Sequence, residues 1–301
     1  MRKAWLVGAA LCLAGTGAQA DVKAFANPEA AMEALIVALQ AQSLQPLMEI
    51  FEPAVLDSIT PEERRSDAER RAAGQRLATE PKSISYEDPG RTKARVIVGR
   101  ENFILPIPLV QRGKEWVFDG AAGVAAMNLE RTAVNEANAI RALRSLARAQ
   151  ELYRFQDRDG DGVFEYAQRI RGTEGSLDGL VNEASDVPGI VTSLLNEAFA
   201  KAEAKPGTPE FYPVGGYGYA ILTAQGANAD GGAGSYLVDG NLRDGYAVVA
   251  WPTRPGVTGA STFIMNHASI IYERDFGAQT LEMVRQITAF DPGKDWMRIA
   301  D

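Results

Sequence analysis

The chain has 301 residues, 46% of them hydrophobic, and its 31 Lys and Arg against 39 Asp and Glu give a formal net charge of −8. That composition excludes a disordered polymer, and the acidic balance argues against nucleic acid as a partner, because phosphate binding needs a basic face. One cysteine and one histidine leave no disulfide framework and no histidine-based zinc set.

Residues 1–20 read as a signal peptide: Arg2 and Lys3 make a basic start, Leu6 to Ala14 an apolar stretch, and Ala18-Gln19-Ala20 an A-x-A cleavage site. The expected localisation is the periplasm. Cys12 follows Leu11, whereas a lipid-attachment cysteine follows a small residue, so an acylated anchor is not expected. Cleavage would remove the only thiol along with Arg2 and Lys3, leaving 29 basic residues against 39 acidic ones. No later segment approaches the roughly 20 apolar residues that span a bilayer, so no membrane span is expected after cleavage.

The spacing of Ala31, Leu35, Ala38 and Leu39, after the Asn27-Pro28 start signal, predicts a helix from Pro28 to Ile50. Pro61 to Leu77, crowded with Glu62, Glu63, Arg64, Arg65, Asp67, Glu69, Arg70 and Arg71, predicts a second helix with a solvated charged face. From Lys93 the pattern turns to strands: Ala94–Val98, Phe103–Val110 and Glu115–Phe118, punctuated by Gly99 and Gly113, predict two or three antiparallel strands. Residues 21–128 are thus expected to form an N-terminal α+β domain of helices plus a small antiparallel sheet, of cystatin or nuclear-transport-factor-2 type.

Val134, Ala137, Ile140, Leu143, Ala147, Gln150 and Tyr153 recur at spacings of three and four and predict a long helix from about Leu129 to Phe155. Val187–Lys201 reads as a further helix. Tyr217–Thr223, Ser235–Val238, Tyr246–Trp251, Thr262–Asn266 and Ile270–Glu273 read as strands, and Ala278–Phe290 as a closing helix. Residues 129–301 are expected to form a second α+β domain. Tyr246, Trp251, Trp116 and Tyr272 fall at strand positions and read as core rather than as a sugar-stacking platform.

Between the long helix and the strands lies Asp157-Arg158-Asp159-Gly160-Asp161-Gly162, three carboxylates at alternate positions and a glycine at the sixth. This is the start of a calcium loop of EF-hand type, in which a tight turn aims several hard oxygens at one point. The expected ligands are Asp157, Asp159, Asp161, the backbone carbonyl of Val163, and Glu165, with calcium as a structural cofactor. Gln168 stands where the bidentate glutamate belongs, so the site should be weaker than a full loop, or borrow a ligand such as Asp178. Phe164 and Tyr166 are expected to anchor the loop to the core.

Catalytic patterns are sparse. His267 follows a strand and reads as a turn residue, no G-x-S-x-G elbow is present, and nothing selects a carboxylate pair. Gly215-Gly216-Tyr217-Gly218 and Gly231-Gly232-Ala233-Gly234 lack the Lys-Ser/Thr of a phosphate-binding loop and read as turns.

Several segments together carry a resemblance: Phe25-x-x-Pro28, Pro106-Ile107-Pro108-Leu109-Val110, Trp116-x-Phe118-Asp119, Asn135-Glu136, Asp159-Gly160-Asp161-Gly162, Trp251-Pro252, Pro255-Gly256-Val257-Thr258-Gly259 and Phe290-Asp291-Pro292. Over nearly the whole chain beyond the signal segment they resemble the exported bacterial proteins gathered as domain-of-unknown-function family 2950, which implies no activity. The helix bearing Asn135-Glu136, Leu143-Arg144 and Tyr153, followed by Asp178-Gly179-Leu180 and Pro255–Gly259, is similar to the globular part of type II secretion pseudopilins. That similarity implies a pilin-like long helix packed on an antiparallel sheet, with structural calcium in some members. Pseudopilins begin with an apolar polymerising helix, which has no counterpart at this position here, so filament assembly is not implied.

The function expected from all this is a non-enzymatic periplasmic protein with a structural calcium loop and a binding or envelope-assembly role, acting through an envelope protein partner. The alternative is a carboxylate-dependent envelope hydrolase acting on glycan or peptide.

Overall fold

The computed structural model describes residues 22–59, 64, 66–158, 160–172, 178–181, 199, 205 and 210–300. The expected signal segment lies outside them, as does the predicted Val187–Lys201 helix apart from Phe199. Helices and antiparallel sheets together make the fold α+β. The chain divides into two compact units, Met1–Val124 and Ala125–Asp301.

In the first unit α1 runs from Pro28 to Gln40, capped by Asn27, whose Oδ1 accepts the Ala30 amide at 2.8 Å. It buries Ala31, Met32, Leu35 and Ala38. The helix does not continue to Ile50: α2 (Gln45–Ile50) is a separate element. Pro46 lacks the amide hydrogen and crowds the preceding turn, so an unbroken helix cannot pass through it. After α3 (Pro53–Asp57) comes α4 (Asp67–Thr79), started by a capping box in which Ser66 and Glu69 satisfy each other's amides.

Its charged residues are not all solvated. Arg70 is buried, and its Nη1 donates to the carbonyls of Leu39 at 2.8 Å and Ala41 at 2.9 Å, capping the end of α1. A cation placed on the open carbonyls of a helix C-terminus gains from both hydrogen bonding and the helix dipole. The surface reading is therefore corrected at this residue.

The first unit's sheet contains β1 (Lys82–Tyr86), β2 (Lys93–Val98), β3 (Phe103–Ile104), β4 (Leu109–Arg112) and β5 (Glu115–Phe118). The order is β1-β2-β4-β5, with β3 also on β2 and every pairing antiparallel. Two or three strands were expected; the Phe103–Val110 run splits around Pro106 and Pro108 into β3 and β4, and the strand missed is β1, whose Lys-Ser-Ile-Ser-Tyr sequence is half-exposed and weakly apolar. Phe25 and Trp116 exchange both backbone hydrogen bonds, at 2.8 and 2.7 Å, tying the chain before α1 to β5.

Helix α5 (Gly120–Arg154) has 35 residues and starts well before Leu129. Asp119 accepts the Ala122 amide on its side chain at 3.1 Å and supplies the cap. The Gly120-Ala-Ala-Gly123 start looks like a loop in sequence, but a Cβ at Gly123 would stand 2.6 Å from Ile107, so the glycine serves close packing.

The remaining strands are β6 (Arg169–Arg171), β7 (Gly179–Val181), β8 (Tyr212–Val214), β9 (Tyr217–Leu222), β10 (Ala224–Gln225), β11 (Gly234–Ser235), β12 (Leu237–Val238), β13 (Asn241–Leu242), β14 (Ala247–Pro252), β15 (Ser261–Asn266), β16 (Ile271–Asp275) and β17 (Met297–Arg298). The main sheet of the second unit is antiparallel in the order β17-β16-β15-β14-β9-β8. Every residue of β14 is buried, as a central strand covered on both faces must be.

Leu143, Leu146 and Tyr153 of α5 share one core with Tyr217, Tyr219, Val248, Val249 and Phe263 of the sheet. Two motif residues fasten the helix by polar contacts: Glu136 accepts the amides of Ala260 and Ser261 at 3.0 and 2.9 Å, and Asn135 donates to the Thr258 carbonyl at 2.9 Å. Tyr246 and Trp251 are buried here, as Trp116 is in the first unit; Tyr272 is half-buried. The predicted closing helix is shorter than expected. A 3-10 turn leads into α6 (Thr280–Val284), and then Phe290 pairs with Ala224 and Gly226 instead of extending the helix.

Candidate functional site

The Asp-rich loop joins the end of α5 to β6, and both its ends are clamped. At the entrance Arg154 donates to the Tyr166 hydroxyl at 2.7 Å, while Arg158 stacks over Tyr153, its guanidinium 5.0 Å from the ring centre. At the exit the fully buried Gln150 side chain accepts the Ala167 amide and donates to the Ala167 carbonyl, both at 2.8 Å. Burial pushes the Tyr166 hydroxyl above the usual phenol range, so it stays a neutral donor to Glu151 at 3.3 Å. Tyr166 thus anchors the loop as expected, whereas Phe164 is exposed and does not.

Within the loop the turn is built on Asp157. Its Oδ1 accepts the Gly160 amide at 2.8 Å and its Oδ2 the Gly162 amide at 2.9 Å. Gly160 and Gly162 both have positive φ, +79° and +83°, which L side chains adopt only with strain. Asp161 accepts the Val163 amide at 2.7 Å through Oδ1. Asp159 lies outside the described residues.

The loop is also fastened to a hairpin. Strands β12 and β13 are joined by Asp239-Gly240, with φ of +54° and +89°, the two-residue turn whose twist suits a hairpin. Asn241 donates to Asp161 Oδ2 at 2.7 Å, the Leu242 amide donates to Glu165 Oε2 at 3.0 Å, and the Tyr166 amide donates back to the Leu242 carbonyl at 2.8 Å. Gln168 donates to the Gly240 carbonyl at 2.8 Å, and Asp178 lies 3.8 Å from Arg169.

The structure therefore gathers Asp157, Asp161, Val163 and Glu165 on one short loop, with the carboxylates turned to amide donors. Among the described residues no group of three or more His, Cys, Asp or Glu side chains is close enough to hold a metal ion. The residue that sequence reasoning missed is Asn241. Its signal is the Asp239-Gly240 turn, which predicts a hairpin but not that the hairpin meets the loop. His267 sits in an exposed turn after β15, edge-on to Tyr236 at 5.6 Å and packed against Gly245. A Cβ at Gly245 would stand 2.5 Å from His267 Nδ1, so the glycine makes room for the ring.

The family model for proteins of unknown function DUF2950 matches residues 22–299. The chain belongs to that family. The match takes in both compact units and the whole Asp-rich loop. No curated protein and no solved structure matches the chain. Among the described residues no helix is long and apolar enough to cross a membrane.

Proposed function

We propose that Asp157–Gln168 is a structural calcium loop in a non-enzymatic, exported protein of the bacterial periplasm, and that the protein acts by binding an envelope partner. The observation that carries this reading is the double use of Asp161 and Glu165. Both occupy calcium positions in the loop pattern, and both also hold the β12–β13 hairpin through Asn241 and Leu242. An ion bound there would fix loop and hairpin together.

Calcium takes six to eight oxygens at flexible geometry. Asp157, Asp159, Asp161 and Glu165 would supply carboxylate oxygens and Val163 its carbonyl. Asn241, already beside Asp161, would add its side-chain oxygen on turning the amide, making good part of what Gln168 lacks. The chemical role is ordering: the ion offsets repulsion among four carboxylates in nine residues and adds its binding free energy to the folded state. The similarity of the α5 region and Pro255–Gly259 to pseudopilin globular domains, some of which hold structural calcium, agrees with this role.

Thermal melts with calcium and with a chelator test the reading. Calcium at 100 times its dissociation constant should stabilise the protein by about 2.7 kcal/mol, a rise of roughly 5–10 °C for a unit of this size. Identical melts under the two conditions would sink it.

A further inference from the structure

A second feature lies apart from the loop, between the C-terminal segment and the sheet of the second unit. A cleft of about 300 Å³ opens there, with Ile264 at its floor and Phe276, Met283, Ile287 and Trp296 among its walls. This is the low end of the volumes that hold small ligands. It has room for one ring or a short branched chain with its head group. Ile264 is almost fully buried, so the floor is part of the core rather than a surface dent.

Arg274 stands in the lining, its guanidinium stacked 4.6 Å from the Phe276 ring centre, and that ring meets Trp296 edge-on at 5.7 Å. That contact restrains the guanidinium before any ligand arrives. Arg274 makes one ion pair, Nη2 to Asp295 at 3.4 Å, and its remaining N–H groups have no protein acceptor among the described residues. Among the described residues most of its five donors thus meet no protein acceptor.

On the same cleft stands Asp291, fixed by accepting both the backbone amide and the side-chain amide of Asn228, at 2.8 and 2.9 Å. Gly226 permits this wall, since a Cβ there would come within 2.2 Å of the Asp291 carboxyl carbon. Asp295, paired with the guanidinium, and Asp291, on the same cleft, disfavour a doubly charged head group such as a phosphate monoester, while a singly charged carboxylate can still take a bidentate pair of N–H donors.

We infer that this cleft binds a carboxylate carried on an apolar or aromatic body, with Arg274 taking the carboxylate and Trp296, Phe276, Met283 and Ile287 enclosing the body. The chemistry fits a free aryl or branched aliphatic acid and equally the C-terminal residue of a peptide. The inference does not depend on the calcium loop.

Titrations of the full chain with 3-phenylpropionate, with a tetrapeptide ending in a free phenylalanine carboxylate, and with the amide of that peptide test it, followed by Trp296 fluorescence and by methyl NMR of Ile264, Met283 and Ile287. Saturable shifts at those methyls with either acid are expected, with binding at least tenfold weaker for the amide and for Arg274→Gln. Response to 3-phenylpropionate alone identifies a free acid as the ligand type, and response to both identifies a peptide end. No saturable shift with either acid overturns the inference, and so does equal binding of the amide. If Arg274→Gln does not fold, the comparison of acid with amide on the unaltered protein decides.

Discussion

Two acidic turns, one in each unit, use their carboxylates differently. In the first unit the turn between β1 and β2 is built on Asp88, beside Glu87, which pairs with Arg95. Asp88 accepts the amides of Thr92 and Lys93 at 2.9 and 2.7 Å and the Thr92 hydroxyl at 2.9 Å. The Thr92 amide bond in particular holds its carboxyl below the ordinary range. Each of the two carboxylates meets its own donors, and residues of the turn and of β2 satisfy both. In the second unit three aspartates and a glutamate crowd the stretch from Asp157 to Glu165. The donors to Asp157, Asp161 and Glu165 are the amides of Gly160, Gly162 and Val163 and a hairpin distant in sequence. Dipoles that satisfy one carboxylate do not cancel the mutual repulsion of four, and the proposed calcium would offset that repulsion in the second turn.

The largest expected effect comes from breaking the frame that holds the second turn. Gln150→Ala would leave the buried amide and carbonyl of Ala167 without partners. A loss of about 2–5 kcal/mol should follow in urea unfolding, since each unmet buried group costs roughly 1–3 kcal/mol. A loss under 1 kcal/mol would mean that the exit of the loop is held by other contacts. Asn241→Ala sharpens the comparison more finely. It should weaken calcium binding about 10- to 100-fold, because it removes both the side-chain oxygen proposed for the ion and the partner that orients Asp161, while leaving the Asp88 turn untouched. Equal affinity in calorimetry would remove Asn241 from the site.

A smaller effect should appear at high pH. Tyr236 accepts the amides of Arg243 and Asp244 at its carbonyl, both at 3.1 Å, at the foot of the hairpin, and burial pushes its hydroxyl up to about 12. The unfolded phenol ionises near 10, so the folded state's advantage is full below pH 10 and is lost as pH rises from 10 to 12. Tyr236→Phe should therefore flatten that alkaline limb by one proton; an unchanged slope would contradict the assignment. The smallest effect belongs to Asp88→Asn. Because the folded value is depressed, its contribution is present above pH 4 and lost below it. The variant should melt slightly lower at pH 7 and match the parent protein near pH 2.

Much of the architecture is legible in sequence because periodicity is a local property. The apolar face of α5 and the β14 and β15 runs follow from spacing alone. The errors have local causes too. Gly120 and Gly123 look like breakers, yet they permit close packing in a helix capped by Asp119. Arg70 looks solvated because charge density on α4 says nothing about which arginine meets the end of α1. The Ser-rich β1 has too little apolar alternation to stand out. The loop's five expected ligands are readable from the Asp-x-Asp-Gly-Asp-Gly pattern, whereas Asn241 is not: 80 residues separate it from Asp161, and only the fold joins them.

The most direct measurement is calcium titration calorimetry on the chelator-treated protein beside an Asp159→Ala, Asp161→Ala variant, with circular dichroism to establish that the variant is folded. One ion should bind per chain of the parent protein and none to the variant. No heat of binding in the parent protein, or the same binding in both, would contradict the calcium reading and leave the loop as a turn of solvated carboxylates.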